Sequence, residues 1–116
     1  MAVINADSGD VIATLPIGAG VDANAFDPST QLAFSSNGSG TLTVVHEDSP
    51  DKYTVVQELE TARGARTMAL DAKSHRVFLV TAEFGPPPAP TAENQHPRPP
   101  MLPGSFKVLL AEQTSK

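Results

Sequence analysis

Five side chains in this sequence are of types that hold charged ligands: Asp22, Asn37, Arg63, Arg66 and Glu83. Two carboxylates, an amide and two guanidinia could bind a small anion or a divalent cation, provided the fold brings them to one place. The plainer alternative is that Arg63 and Arg66 pair with nearby acids on a solvated surface. Nothing indicates covalent chemistry. His46, His75 and His96 lack the spacing of a metal-binding pair and fall at a strand end, in a turn and in a loop. Ser49 beside His46 and Asp48 is a turn composition, because a triad needs three groups converging in space beside oxyanion donors. Asp7 to Asp10 is too short for a calcium-binding loop and reads as a hairpin turn. The PxxP spacings 87–90 and 97–100 fit a ligand for an aromatic groove, although a Pro-rich stretch produces such spacings by chance. Asn37-Gly38-Ser39 has the form of a glycosylation acceptor, which matters only in a eukaryotic secretory pathway. No catalytic residue, metal ligand or cofactor is assigned on this basis.

The elements that must position the five residues are strands. Val21–His46 reads as three short runs, VDANAF, QLAFSS and TLTVVH, separated by the turns DPST and NGSG. Leu32 and Phe34 alternate with Gln31 and Ala33, and Leu42 and Val44 with Thr41 and Thr43, which is the period of a half-buried strand. The turns supply side-chain hydrogen bonds and tolerate left-handed backbone. The motif then returns 44 residues later, with Gly20 over Gly64, Ala25 over Ala69, Asp27 over Asp71 and Phe34 over Phe78. A four-strand unit recurring at about 40–45 residues has the period of a β-propeller blade.

The sequence is therefore expected to form an all-β partial β-propeller of nine strands, about two and a quarter four-stranded antiparallel blades. As a single domain, 1–116, it divides into an outer hairpin 1–17, a full blade 21–60 and an incomplete blade 65–112. The last carries a Pro-rich insert, 85–103. Eight of the chain's 11 prolines fall in Phe84–Pro103, so this stretch is expected to be an extended loop that pairs in no ladder and is dispensable. Matching Gly40 to Gly104 makes the offset grow from 44 to 64 there. Phe34 and Phe78 are expected to be equivalent core residues between adjacent blades. In such an arrangement one rim of the axial channel would carry Asp22, Asn37, Arg63, Arg66, Glu83 and the insert, on loops held by a rigid scaffold.

Composition removes several classes of function. Thirteen acids against eight Lys and Arg give a net charge of −5, with no basic cluster to neutralise phosphates, so nucleic acid is not an expected partner. No apolar run approaches the length of a membrane span. The opening MAVINADSGD lacks the basic region and apolar core of a signal peptide. The absence of cysteine excludes disulfides and thiolate metal sites.

The segment VINADSGDVIATLPIGAGVDANAFDPSTQLAFSSNGSGTLTVV resembles the YVTN-type repeat of YncE-like β-propeller proteins. Val3-Ile4-Asn5 with Ser8-Gly9 matches the hairpin of that repeat, and Ile12 to Gly18 its "V-x-x-T-I-P-V-G" strand. Leu32 to Asn37 stands in place of "Y-V-x-N", with Phe34 as the displaced aromatic. The resemblance covers residues 2–83 and 104–111 and implies a C-terminal third of a seven-bladed propeller, non-catalytic, with a binding or scaffold role in a periplasmic or secreted parent. The implied partners are the remaining blades or further copies of the chain, joined through exposed edge strands. A gluconolactonase-type propeller, a metal-dependent sugar-lactone hydrolase, is the alternative. Ca²⁺ enters only there, with Asp22, Asn37 and Glu83 as oxygen donors.

Overall fold

The computed structural model describes residues 1–114 and contains nine strands and, among those residues, no helix. Strands β1 (Ala2–Ile4) and β2 (Val11–Thr14) form an antiparallel hairpin. Strands β3 (Val21–Asp27), β4 (Leu32–Asn37), β5 (Thr41–Ser49) and β6 (Lys52–Glu60) form a four-stranded antiparallel sheet in chain order. Strands β7 (Met68–Asp71), β8 (Arg76–Thr81) and β9 (Lys107–Glu112) form a three-stranded one. β2 abuts β6, and β3 abuts β7.

The repeat is written into the backbone. Gln31 and His75, 44 residues apart, both take left-handed φ values, 59° and 60°. Asp27 Oδ1 accepts the Ser29 amide at 3.1 Å, and Asp71 Oδ1 accepts the Lys73 amide at 3.0 Å. Each carboxylate thus closes an Asx turn that lets the chain reverse between two strands. The registers agree as well: Ala25 opposes Phe34 and Ala69 opposes Phe78. Gly20 and Gly64 lead into the two units at φ 73° and 81°, a conformation that glycine adopts without strain.

Alternation decides which side chains meet. Phe34, Leu42 and Val44 point from the four-stranded sheet toward Val77 and Leu79 of the three-stranded one, with Ala65 between, and this is the buried core. Leu32, Leu59, Met68, Leu70, Leu109 and Ala111 extend it. The opposite face of the four-stranded sheet is polar near its tight turn, where Ser35, Asn37 and Thr43 are fully buried.

Three expectations need correction. Phe78 is 37% exposed where Phe34 is 8%, because among the described residues no further sheet lies on its face. The third strand does not follow the Gly40-to-Gly104 match: Val44 opposes Phe34 and Leu110 opposes Phe78, an offset of 66. The ladder follows the apolar alternation of β9 rather than a turn glycine, and Phe106 falls outside the strand. The insert, finally, does pair at its neck. Phe84 bridges Met101, Gly85 N donates to Pro100 O at 2.9 Å, and Leu102 N donates to Glu83 O at 2.8 Å. Proline's missing N–H bars it from donating, but its carbonyl still accepts.

Candidate functional site

The loops at one end of the sheets are stitched together through backbone. Gly38 N donates to Gly20 O, and Gly64 N to Gly38 O, each at 2.8 Å. Thr81 Oγ1 donates to Arg63 O at 2.9 Å, and Ser36 Oγ donates to Arg66 O. The turn between β6 and β7 is thereby fixed against both sheets. A Cβ on Gly38 would stand 3.2 Å from Gly20 O, so glycine permits this close approach.

On that end, Asp22, Arg63, Arg66 and Glu83 are exposed. Asp22 sits where the β3–β4 register shifts, outside the ladder. The Arg66 side chain passes beside Gly38. Arg63 and Glu83 line one open cleft of about 700 Å³, together with Phe84, Leu102 and Lys107. Ser105 Oγ accepts the Glu83 amide at 3.0 Å and anchors that wall. Lys107 was not among the sequence candidates. The long insert hides that it pairs with Thr81, a pairing the alternation of Val108 and Leu110 would have indicated. Among the described residues the ion pairs are His46–Asp48, His75–Asp27 and Arg76–Glu112, and neither Arg63 nor Arg66 belongs to one. Two cations and one carboxylate beside apolar walls suit a small anionic or zwitterionic ligand.

Asn37 is elsewhere engaged. It is buried, its Oδ1 accepts Ser35 Oγ at 3.1 Å, and its Nδ2 donates to Thr41 Oγ1 at 3.0 Å and Thr43 Oγ1 at 2.9 Å. Thr43 Oγ1 in turn donates to the Glu58 carboxylate at 2.8 Å. A calcium site built on Asp22, Asn37 and Glu83 does not fit this donor set, since the Asn37 oxygen is committed inside the sheet. No group of three His, Cys, Asp or Glu gathers among the described residues either.

A second polar cluster joins the two sheets. Asp27 is 1% exposed, and its Oδ2 accepts His75 Nδ1 at 2.6 Å while Oδ1 accepts the Ser29 hydroxyl at 2.9 Å. Burial pushes this carboxyl up, but hydrogen bonds from His75 and from the Ser29 hydroxyl and amide outweigh it and hold it at about 2. Ser, His and Asp are thus adjacent without forming a relay. Ser29 and Asp27 meet the same imidazole nitrogen, so no base is left facing the hydroxyl. The cluster is a clasp between turns 27–31 and 71–75. At the far end of β5, His46 Nδ1 donates to Asp48 at 2.7 Å, and Ser49 accepts the Asp51 amide at 3.3 Å. The Thr54 hydroxyl and then His46 hold the Asp48 carboxyl below its usual range.

Among the described residues no helix is long and apolar enough to cross a membrane. No family model matches the chain, and no curated protein and no solved structure matches it.

Proposed function

We propose that this chain is a segment of a YncE-like, YVTN-type β-propeller and acts as a non-catalytic binding or scaffold module, completed by further blades or by other copies through its edge strands. The observation that carries the reading is the recurrence, 44 residues apart, of one backbone device: a left-handed glycine, a strand, an Asp-closed turn ending at a left-handed residue, and a second strand. Consecutive sheets with their first strands in contact, β3 on β7, are what neighbouring blades around an axis require. The rim cleft of Arg63, Glu83 and Lys107 then supplies the binding surface, on loops that backbone hydrogen bonds hold in place.

The test is a titration of the isotope-labelled chain with inorganic phosphate, followed by the amide signals of Arg63, Glu83 and Lys107. Saturable shifts there, lost in Arg63→Ala, are expected, with no lactone opening in the presence of Ca²⁺. Calcium-dependent lactone hydrolysis that Glu83→Gln abolishes, or phosphate shifts confined to other loops, would overturn the reading.

A further inference from the structure

The rim cleft holds more chemistry than an anion alone uses. Arg63, Lys107 and Glu83 line it together, and all three are exposed. No ion pair joins Glu83 to Arg63 or to Lys107, although Lys107 opposes Thr81, two residues before Glu83. Opposite charges thus share one cleft without neutralising each other. Phe84 and Leu102 form an apolar wall beside them and are 56% and 41% exposed. Both sides of the cleft are held by hydrogen bonds to backbone. On the insert side Gly85 N donates to Pro100 O at 2.9 Å, and Ser105 Oγ donates to Leu102 O at 2.6 Å. On the other, Thr81 Oγ1 donates to Arg63 O at 2.9 Å, and Gly64 N donates to Gly38 O at 2.8 Å. Apolar side chains kept open to water on a fixed neck, next to unpaired charges of both signs, mark a binding surface.

We infer that the cleft takes a free, zwitterionic α-amino acid with a large apolar side chain, an inference that rests on the reading of the rim as a binding surface. The ligand carboxylate lies between Arg63 and Lys107, its ammonium faces Glu83, and its side chain covers Phe84 and Leu102. Each part answers something the cleft presents. A simple carboxylate or phosphate satisfies the two cations but brings its charge near Glu83 with nothing to offset it. A simple cation meets the reverse conflict with Arg63 and Lys107. A bare zwitterion balances all three charges and leaves the apolar wall wet. Adding an apolar side chain removes that wall from water. Phe84 favours an aromatic one, since ring pairs gain beyond the area they bury. A cleft of about 700 Å³ has room for the whole molecule.

Phenylalanine is the probe, titrated into the labelled intact chain and followed at the amides of Arg63, Glu83, Phe84 and Lys107. Saturable shifts are expected, with a Kd at or below about 1 mM. Three analogues each remove one group without touching the protein. Phenylalaninamide lacks the carboxylate, N-acetylphenylalanine lacks the ammonium and glycine lacks the ring. Each should bind about tenfold more weakly, the loss expected for one charge-assisted contact or one part-buried ring. In the chain, Glu83→Gln should weaken phenylalanine but not N-acetylphenylalanine, and Phe84→Ala should weaken phenylalanine but not glycine. The analogues keep the test decisive if a protein variant does not fold. Absence of shifts at these residues with millimolar phenylalanine would overturn the inference. Equal affinity for phenylalanine and any one of the three analogues would do the same. Inorganic phosphate separates the two proposals. Phosphate shifts at Arg63 and Lys107 without a preference for phenylalanine leave the binding reading standing and sink this one, and silence from both ligands sinks both.

Discussion

Phe34 and Phe78 occupy the same place in two successive sheets, opposite Ala25 and Ala69, yet one is buried and the other half-exposed. The local sequence and backbone around them agree. What differs is the neighbour. The face bearing Phe34 is covered by Val77 and Leu79, whereas on the face bearing Phe78, Val108 and Leu110 all three side chains are exposed. Burial here is a property of the next sheet rather than of the residue.

Truncating the two phenylalanines tests that contrast most strongly. Phe34→Ala should lose roughly 3–5 kcal/mol in urea unfolding, as buried Phe does. Phe78→Ala should lose about 1 kcal/mol, because much of its ring already faces water. Equal losses would mean that Phe78 is covered in solution.

A smaller contrast separates Asn37 from Thr81, which share the position next to the third strand. Asn37 makes three side-chain hydrogen bonds within its sheet, and Thr81 makes one, to Arg63 O. Asn37→Ala should cost about 1–3 kcal/mol for the buried partners it strands. Thr81→Ala should cost less in the same urea experiment.

The two Asx turns differ in the same way, since Asp27 has His75 of the next sheet and Asp71 has no such partner among the described residues. The Asp27 carboxyl is held at about 2 against an ordinary value of 3.8, so its contribution is present above pH of about 3.8 and disappears as the pH falls toward 2. Asp27→Asn should flatten the dependence of stability on pH across that window. Asp71→Asn should do so less, its carboxyl being lowered chiefly by the Ser74 hydroxyl at an exposed turn. Melting curves from pH 5 to pH 2 would show the difference.

Least is expected from the insert. Replacing Pro86–Pro99 with a short Gly-Ser link, while keeping the paired neck, should change stability by less than about 1 kcal/mol, since closure cost varies slowly with loop length. A larger loss would show that the Pro-rich tip is part of the cleft wall.

Much of this fold was legible in advance because it is local. The nine strands follow alternation, and the turns follow Asp27, Asp71, Gly20 and Gly64, whose side chains or missing Cβ atoms fix the backbone on the spot. The rest depends on what is remote. Phe78 has an apolar identity that says nothing of a missing cover. Gly104 looked like the partner of Gly40, but a glycine in a long loop does not set register, and Phe78 opposite Leu110 does. Asn37 was read as a rim ligand from its place at a turn, while its burial comes from Ser35, Thr41 and Thr43, which alternation aims at the same face. The His75 clasp had a readable signal, a histidine one repeat after Gln31, at the end of the turn that Asp71 closes. Only the packing of the sheets shows that the two turns touch.

Amide hydrogen exchange on β5 and β9 tests the central claim most directly, at a concentration low enough to keep the chain monomeric. β5 has a strand on each side, and among the described residues β9 has β8 alone. The account predicts unbroken protection from Leu42 to His46, and in β9 an alternation of protected and freely exchanging amides from Lys107 to Glu112. Uniform protection along β9 under those conditions would contradict it, since the outer edge of the strand would then already be paired.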